Sequence, residues 1–397
     1  ALVVCSPAID AGFDADNQSA LDLTGSTRKF EAIPGGQKID IGAYEFQGNA
    51  IPGPVVYVND NASGNNDGTS WADAFTDLQD ALALAGFCSN ITEIWVAAGT
   101  YKPTTGTDRS FSFVMKNGVA VYGGFNGTET QLSERDWVAN ETILSGDLNG
   151  DDGSNFINYN DNSHHVVSGV ADGIYVLDGL IVERGNSNEV SLGKGAGLVF
   201  YGNNQSVTIS NCIIRNNLSN YRGAGVNISP TIIGATLELN VYNSFFLNNS
   251  AQRYSALSAS AMGEVVNTVF ADNQASIISM ISASQSNVPF SFVNCTFHNN
   301  QTPNVFYFAG TRLIKNCIVT GSLFDTGNAT ISNSIVSAIP SGSIDGGGNI
   351  ITASATDFFS NPSNLAGADN KFGTNDDGLA LVVCSPAIDA GFDADNQ

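Results

Sequence analysis

One short template recurs six times in this chain and restricts its fold more than any other feature. Ile209-Ser-Asn211-Cys-Ile-Ile, Val241-Tyr-Asn243-Ser-Phe-Phe, Val265-Val-Asn267-Thr-Val-Phe, Phe292-Val-Asn294-Cys-Thr-Phe, Ile314-Lys-Asn316-Cys-Ile-Val and Ile331-Ser-Asn333-Ser-Ile-Val all place an apolar pair after a fixed Asn and a small residue. Val176-Leu-Asp178-Gly-Leu-Ile is an earlier, weaker copy. Successive Asn positions are 32, 24, 27, 22 and 17 residues apart. A fixed corner joined by loops of unequal length describes one turn of a coil, and it predicts an all-β chain wound as a parallel β-helix. An antiparallel sandwich would instead give even hairpin spacing and no shared template.

The residue chemistry fits that winding. Asn tolerates the left-handed backbone region, so it can bend the chain between two strands, and stacked Asn side chains can hydrogen-bond from turn to turn. A ladder is therefore expected along Asn211, Asn243, Asn267, Asn294, Asn316 and Asn333. The small neighbours Cys212, Ser244, Thr268, Cys295, Cys317 and Ser334 suit a crowded inward position. Four templates run on into a second polar pair, Asn216-Asn217, Asn248-Asn249, Asp272-Asn273 and Asn299-Asn300, which marks the next corner.

Ahead of the templates, residues 1–46 alternate short apolar runs with Asp- and Gly-rich turns and read as strands and loops. Val55-Val-Tyr-Val58 reads as a strand. Ser70 is placed to cap a helix over Trp71–Ala85, where Phe75, Leu78, Leu82 and Ala85 recur at helical spacing. A single amphipathic helix at this point would cover the open end of a β core. Ile94-Trp-Val-Ala97, Phe111–Met115 and Val119-Ala-Val-Tyr122 are strand-like, and a polar excursion follows to about Asn162.

A second feature bears on domain organisation. Ala1–Gln18 returns letter for letter as Ala380–Gln397, an offset of 379 residues. A period of that length has the size of a whole domain and predicts a tandem array of near-identical domains. On this reading residues 1–46 end one repeat, 47–54 form a short Pro/Gly linker, and 55–397 are a β-helix domain lacking its last turns. The chain carries 15 Lys and Arg against 38 Asp and Glu, a net charge of −23. Such a charge repels nucleic acid and anionic membrane and makes cations the natural counter-partners. No run approaches the roughly 20 apolar residues of a membrane span.

Several stretches resemble the parallel β-helix repeat proteins of large Gram-negative surface and secreted proteins, often found ahead of a C-terminal sorting anchor. They are Gly68-Thr-Ser-Trp-Ala-Asp-Ala-Phe-Thr-Asp-Leu-Gln-Asp-Ala81, Glu93-Ile-Trp-Val-Ala-Ala-Gly-Thr-Tyr101, Val121-Tyr-Gly-Gly-Phe125, Arg135-Asp136, Ser6-Pro-Ala-Ile-Asp-Ala-Gly12 and Ile39-Asp-Ile-Gly-Ala-Tyr-Glu45. The resemblance implies a right-handed, pectate-lyase-like solenoid, export and a surface setting. It implies no particular reaction, and related helices also occur in polysaccharide lyases and hydrolases.

Candidate chemistry is confined to acidic loops. Asp147, Asn149, Asp151 and Asp152 space oxygen ligands as a calcium loop does, although the Gly comes one place late and no Glu follows at the twelfth position. Asp369, Asn375, Asp376 and Asp377 lie in a second such loop, and Asp14, Asp16, Asn17 and Asp22 in a third. Carboxylates crowded together favour a divalent ion, so calcium is the one cofactor suggested. His164, His165 and His298 lack a ligand partner at metal spacing and read as surface histidines. Arg184, Arg215, Arg222 and Arg253 are lyase bases by type but occupy different template positions. Glu238, Glu264, Asp272 and Asp325 are the few acids on the central turns, too sparse for a facing glycosidase pair. Phe245, Phe246, Phe270, Phe290, Phe292 and Phe297 read as stacked core rather than a sugar platform. Cys295 and Cys317 read as stacked free thiols, and Cys88 could pair with Cys5 or Cys384.

The function these features predict is that of a structural or adhesive repeat unit in a giant extracellular fibre or appendage, not an enzyme. Its partners would be neighbouring repeats of the same chain, a homo-oligomeric bundle, and surface glycans or other cells. A β-helix polysaccharide lyase or hydrolase is the alternative, and a carbohydrate-binding module the third.

Overall fold

The computed structural model describes residues 2, 5–30, 32, 38–48, 52–188, 193–232, 235–283, 289–308, 312–321, 323, 329–352 and 358–391. Asp325 and Asn49–Ile51 of the expected linker lie outside them. The strands gather into three long faces. The first runs through eleven strands from Val55–Val58 to Ile344–Asp345, the second through ten from Gly99–Tyr101 to Ile350–Ile351, and the third through seven from Phe113–Val114 to Asn304–Phe308. A four-stranded strip lies between the second and third faces along the middle turns. Neighbouring strands on each face are parallel. This is a parallel β-helix, with the right-handed sense that parallel crossover connections take almost without exception. At about 4.8 Å per strand the first face is roughly 48 Å long.

The register shows what aligns the turns. Val56, Ile94, Val121, Leu177, Ile209, Val241, Val265, Phe292, Ile314 and Ile331 are consecutive partners across the first face. Each is at most 1 % exposed. Asp345 follows Ile331 in this column and is exposed, so the apolar column ends with the strands that carry it. Inside the second face Phe246, Phe270 and Phe297 stack at 4.8 and 4.9 Å with nearly parallel rings. A one-residue slip of any strand would turn its apolar set outward.

The template Asn residues bend the chain. Asn211, Asn243, Asn267, Asn294, Asn316 and Asn333 all have φ between 48° and 55°, and they form one column. Asn243 donates its side-chain amide to Asn211 Oδ1 at 3.4 Å and Asn267 to Asn243 Oδ1 at 2.8 Å, while Asn211 continues the column to Asp178 at 2.7 Å. The small neighbours beneath are buried, and their backbone amides point at the next small residue: Cys212 N to Ser244 Oγ at 3.2 Å and Cys317 N to Ser334 Oγ at 3.0 Å.

The second corner carries a ladder that is better protected. Asn216, Asn248, Asp272 and Asn299 take the left-handed conformation, and Asn217, Asn249 and Asn273 after them are fully buried. Asn217 donates both its backbone N–H and its side-chain amide to Asn249 Oδ1, at 3.2 and 3.0 Å. Asn249 repeats the pair on Asn273 at 3.0 and 3.1 Å, and Asn273 repeats it on Asn300 at 3.0 Å each. Each amide also donates to the strand behind, as Asn249 does to the Ile214 carbonyl at 2.8 Å.

The cap differs from the sequence expectation in its length. The helix, α1, is Leu78–Ala85, with the Asp77 carboxylate accepting the Gln79 N–H at 2.8 Å. Ser70 instead closes a turn with Asp73. Residues before Asp77 cannot be helical because Phe75 pairs with strand Val55–Val58, donating to the Tyr57 carbonyl while its own carbonyl accepts from Asn59. Leu78, Ala81, Leu82 and Ala85 bury the apolar stripe against the first turn.

The described residues before 49 and after 357 lie outside the coil. Among the described residues, 2–48 hold a 3-10 turn at Asp14–Asp16 and one isolated bridge, Leu21 to Thr27, rather than the expected strands. Carboxylates bonded to backbone amides take the place of a ladder, and Ile9 and Ala32 form a small core with Phe30 and Phe46. A disulfide between Cys5 and Cys88, with Cα atoms 5.2 Å apart, fastens this segment beside the cap. At the other end, residues 358–391 fold back along the outside of the second face. Leu365 and Phe372 cover outward Ile181, Ile213, Phe245 and Val269, and Lys371 Nζ reaches the Val138 carbonyl at 2.8 Å. Phe245 is thus outside the core, its ring tilted against that of Phe372 with centroids 5.4 Å apart.

Replacing Asn249 by Leu should cost more stability than replacing Asn243 by Leu. The first change takes the acceptor from the buried Asn217 N–H and the side-chain donor from the Ile214 carbonyl, out of reach of water, at about 1–3 kcal/mol for each buried unsatisfied group. The second leaves exposed groups to solvent and forfeits chiefly the left-handed tolerance of Asn, about 1–2 kcal/mol. Denaturant unfolding of the two variants checks this, and equal losses would mean that the buried ladder is not the stronger one.

Candidate cation site

The long loop from Gly146 to Val166 leaves the second face after strand Thr142–Ser145 and re-enters at the third. Its acidic residues are drawn inward by their own backbone. Asp147 is buried, and its Oδ1 accepts the N–H groups of Gly150 at 2.5 Å and Asp151 at 3.2 Å, while Oδ2 accepts that of Asp152 at 3.3 Å. This wraps the loop around one carboxylate. Oxygens of Asp147, Asp151 and Asp152 lie within 4.8 Å of one another. Asn149, expected as a fourth ligand, donates its backbone N–H to Asp161 Oδ2 at 3.0 Å.

Asp152 is the most perturbed member. Its side chain is fully buried; Oδ2 accepts from Asn162 Nδ2 at 2.7 Å, and Oδ1 has no hydrogen-bond partner among the described residues. Burial, reinforced by the neighbouring Asp147 charge, pushes its carboxyl up to about 6 against the opposing Asn162 bond. Arg184, itself at φ 61°, supplies direct compensation, 3.5 Å from Asp147 and 3.6 Å from Asp152, and Lys102 Nζ reaches the same loop at the Leu148 carbonyl, 3.1 Å away. The Arg184 guanidinium is shared with Glu183 at 3.1 Å, and Glu183 in turn binds Arg215 at 2.6 Å. Three carboxylates against one shared guanidinium, with a buried oxygen unpartnered, leave room in the charge balance for a hard cation, which oxygen ligands suit. The other loops distribute their acids differently.

Asp376 accepts the N–H groups of Ala368 and Asp369 at 2.6 and 3.3 Å, Asp377 that of Gly373 at 2.8 Å, and Asp369 that of Lys371 at 2.9 Å. No convergent group of three Asp, Glu, His or Cys side chains among the described residues includes them. Asp14 pairs with Lys29 at 2.7 Å, and Asp22 caps the turn at Thr24 and Ser26. A second acidic group does form where the sequence pointed to no site: Asp10, Asp40 and Glu45 converge. Asp40 accepts from Asp10 N at 2.7 Å and Phe46 N at 2.5 Å, and Glu45 accepts from Asp40 N at 3.0 Å. All three lie in the Ser6–Gly12 and Ile39–Glu45 stretches, whose shared Ile-Asp pair, Ile9-Asp10 and Ile39-Asp40, was the available signal.

The histidines are corrected by the fold. His164 and His298 are buried and His165 is half-buried, and His298 ends strand Thr296–His298 where the returning C-terminal segment covers it. His165 Nδ1 lies 2.8 Å from the Gly195 carbonyl, and His298 meets Phe359 edge-on at 5.4 Å; burial lowers both rings' affinity for a proton. Arg222 and Arg253 both lie over the Tyr221 ring, at 5.2 and 5.7 Å. Cys295 and Cys317 are adjacent buried thiols, the Cys295 N–H pointing at Cys317 Sγ at 3.4 Å.

No protein-family model and no curated protein matches the chain. Among solved structures, the crystal structure of pectate lyase Pel9A is similar at 15% identity and a TM-score of 0.48, covering 87% of this chain and 94% of that one. At that level the likeness says nothing about activity, and the fold rests on the strand pairing above. No helix among the described residues is long and apolar enough to cross a membrane.

The Asp152 shift has a definite sign. The folded chain keeps a proton that the unfolded chain releases near 3.8, so this group's contribution to stability falls as pH rises from about 4 through about 6. A bound divalent cation would remove the loss by replacing the proton. Thermal melts from pH 4 to 8 should show a cation-dependent rise in Tm that grows above pH 6. Asp152→Asn should raise the cation-free Tm at pH 7 and abolish most of the response; an unchanged response would dismiss the site.

Proposed function

We propose that the chain is one period of a structural or adhesive repeat array on an extracellular surface. Residues 1–46 would close one repeat, 47–54 form the joint, and 55–397 begin the next. One observation carries this reading: the two copies of the duplicated stretch share a backbone conformation as well as a sequence. Cys5 and Cys384 have φ of 60° and 66°, and Asp10 and Asp389 have φ of 53° and 55°. Ile9 N donates to Ser6 O at 3.0 Å, as Ile388 N does to Ser385 O. Ala8 N and Ala387 N each meet the preceding Ser Oγ at 3.3 Å. Left-handed Cys and Asp are uncommon, so their recurrence in both copies indicates the same structural job in successive domains.

Identical units joined identically generate a regular rod, and a rod of coils roughly 48 Å long reaches far from its anchor. Enzymatic turnover gains nothing from such copying. The net charge of −23 suits an extended, self-repelling fibre, and calcium is the proposed cation at Asp147, Asp151 and Asp152, stiffening each unit. The second loop, Asp369, Asn375, Asp376 and Asp377, is proposed as a weaker site of the same kind. Targets would be surface glycans or other cells, met by the polar loops or by the fibre tip. The polysaccharide lyase reading needs a free base beside a metal, and Arg184 and Arg215 are already held in ion pairs, while the hydrolase reading needs a facing carboxylate pair, for which the central turns carry few acids.

Electron microscopy of the natural full-length protein should show rods with a periodic repeat, and compact isolated particles would refute the array. Incubation of the purified chain with acidic and neutral polysaccharides should release no unsaturated or reducing ends. Sustained release would replace the structural reading with the enzymatic one.

A further inference from the structure

The two copies of the duplicated stretch differ in what they touch. Ile9 is buried, whereas Ile388, the same residue in the second copy, is 45 % exposed and Val383 is 90 % exposed. Cys5 is bonded to Cys88 beside the cap, whereas Cys384 is a free, exposed thiol. The first copy therefore displays a completed interaction whose ligand is known residue by residue. Ile41 donates to the Ala8 carbonyl at 2.8 Å, Gly12 to the Ile39 carbonyl at 2.8 Å, and Asp10 N to Asp40 Oδ1 at 2.7 Å. Gly12 sits so close to Ile39 that a Cβ would lie 2.6 Å from its backbone oxygen. Ala387, Asp389 and Gly391 offer the same donors, acceptors and missing Cβ, on a segment already holding the left-handed turns at Cys384 and Asp389.

We infer that Cys384 of one copy takes the place of Cys5 on Cys88 of another copy, so that successive units are joined head to tail by a disulfide. The partner is a second copy of this chain, presenting its Cys88 beside α1 and its Ile39–Asp40 edge. This deepens the array reading above and rests on it. Between separate copies the bond can form by exchange: the Cys384 thiolate attacks Cys88 Sγ, the bond to Cys5 breaks, and Cys5 leaves as a thiolate that takes up a proton. No net oxidation occurs. Starting from two free thiols, a disulfide oxidant such as oxidised glutathione accepts the two electrons and becomes two thiols. The tethered first copy competes through its high local concentration, so removing its sulfur should expose the exchange.

The test uses the chain with Cys5→Ser in a buffer of reduced and oxidised glutathione, read on non-reducing gels and by mass spectrometry of cross-linked peptides. Most of the chain should appear as dimers, trimers and longer species joined by Cys88–Cys384 bonds. The ladder should collapse on reduction and be absent from the Cys5→Ser, Cys384→Ser double variant. A monomer with both thiols still titrating, or dimers joined only through Cys384–Cys384, would overturn the inference. Native folding is read from Cys212, Cys295 and Cys317, which are buried and should resist maleimide. If they react, the unsubstituted chain at high concentration with a catalytic small thiol gives the same decision by presence or absence of the Cys88–Cys384 peptide. Rods without this peptide would defeat the covalent joint alone, whereas no rods would defeat the array.

Discussion

The constraint on which the structure depends is hydrogen-bond satisfaction at the corners. A coil that turns sharply between flat faces takes backbone amides out of strand pairing there, and no water reaches the buried ones. Asn resolves this twice per middle turn. The first residue of each corner accepts the left-handed backbone, and at the second corner the following amide supplies an oxygen to the N–H of the turn before. Because Asn217 depends on Asn249 and Asn249 on Asn273, each turn completes its neighbour. Registration along the axis follows from that dependence, and the apolar columns then stack without slipping.

Once the turns are in register, burial does the rest. The column from Val56 to Ile331 and the stacked Phe246, Phe270 and Phe297 form one continuous core whose lateral boundary is the sheet itself. What this leaves open is the first edge, a row of strand groups that would otherwise pair with another chain. Gly68 and Phe75 pair with that edge strand, α1 covers the core beside it, and Cys88 follows α1 where a segment from outside the coil reaches it through Cys5. The closure of the core and the proposed joint between copies are thus the same piece of structure.

The acidic loops follow a separate logic. Most of their carboxylates serve as turn caps that accept backbone N–H groups, a role needing no metal. Asp152 differs because the loop around Asp147 carries it under Asn162 and Arg184, away from solvent. Its raised proton affinity and the crowding of Asp147 and Asp151 have one origin, the wrapping of a long loop against the second corner. A cation there would tie that loop to the coil.

The sequence by itself determined the elements whose cause is local. Positive φ at Asn211, Asn243 and their equivalents is a property of Asn beside a small inward residue, so the coil, its faces and its Asn column were legible from six short templates. The amphipathic stripe at Leu78, Leu82 and Ala85 likewise announced a cap, although pairing of Phe75 with the first strand shortened it. Only the tertiary structure decided matters that depend on distant partners. Asn217, Asn249 and Asn273 form the buried ladder because the interior lies on their side of the corner, a fact absent from the spelling of Asn-Asn. Asp10 met Asp40 and Glu45, and Asp147 met Asp151 and Asp152, because loop paths set which carboxylates converge. Cys5 and Cys384 have identical neighbours in sequence and opposite fates, since a disulfide requires a second thiol at bonding distance, and only packing against the cap provides one.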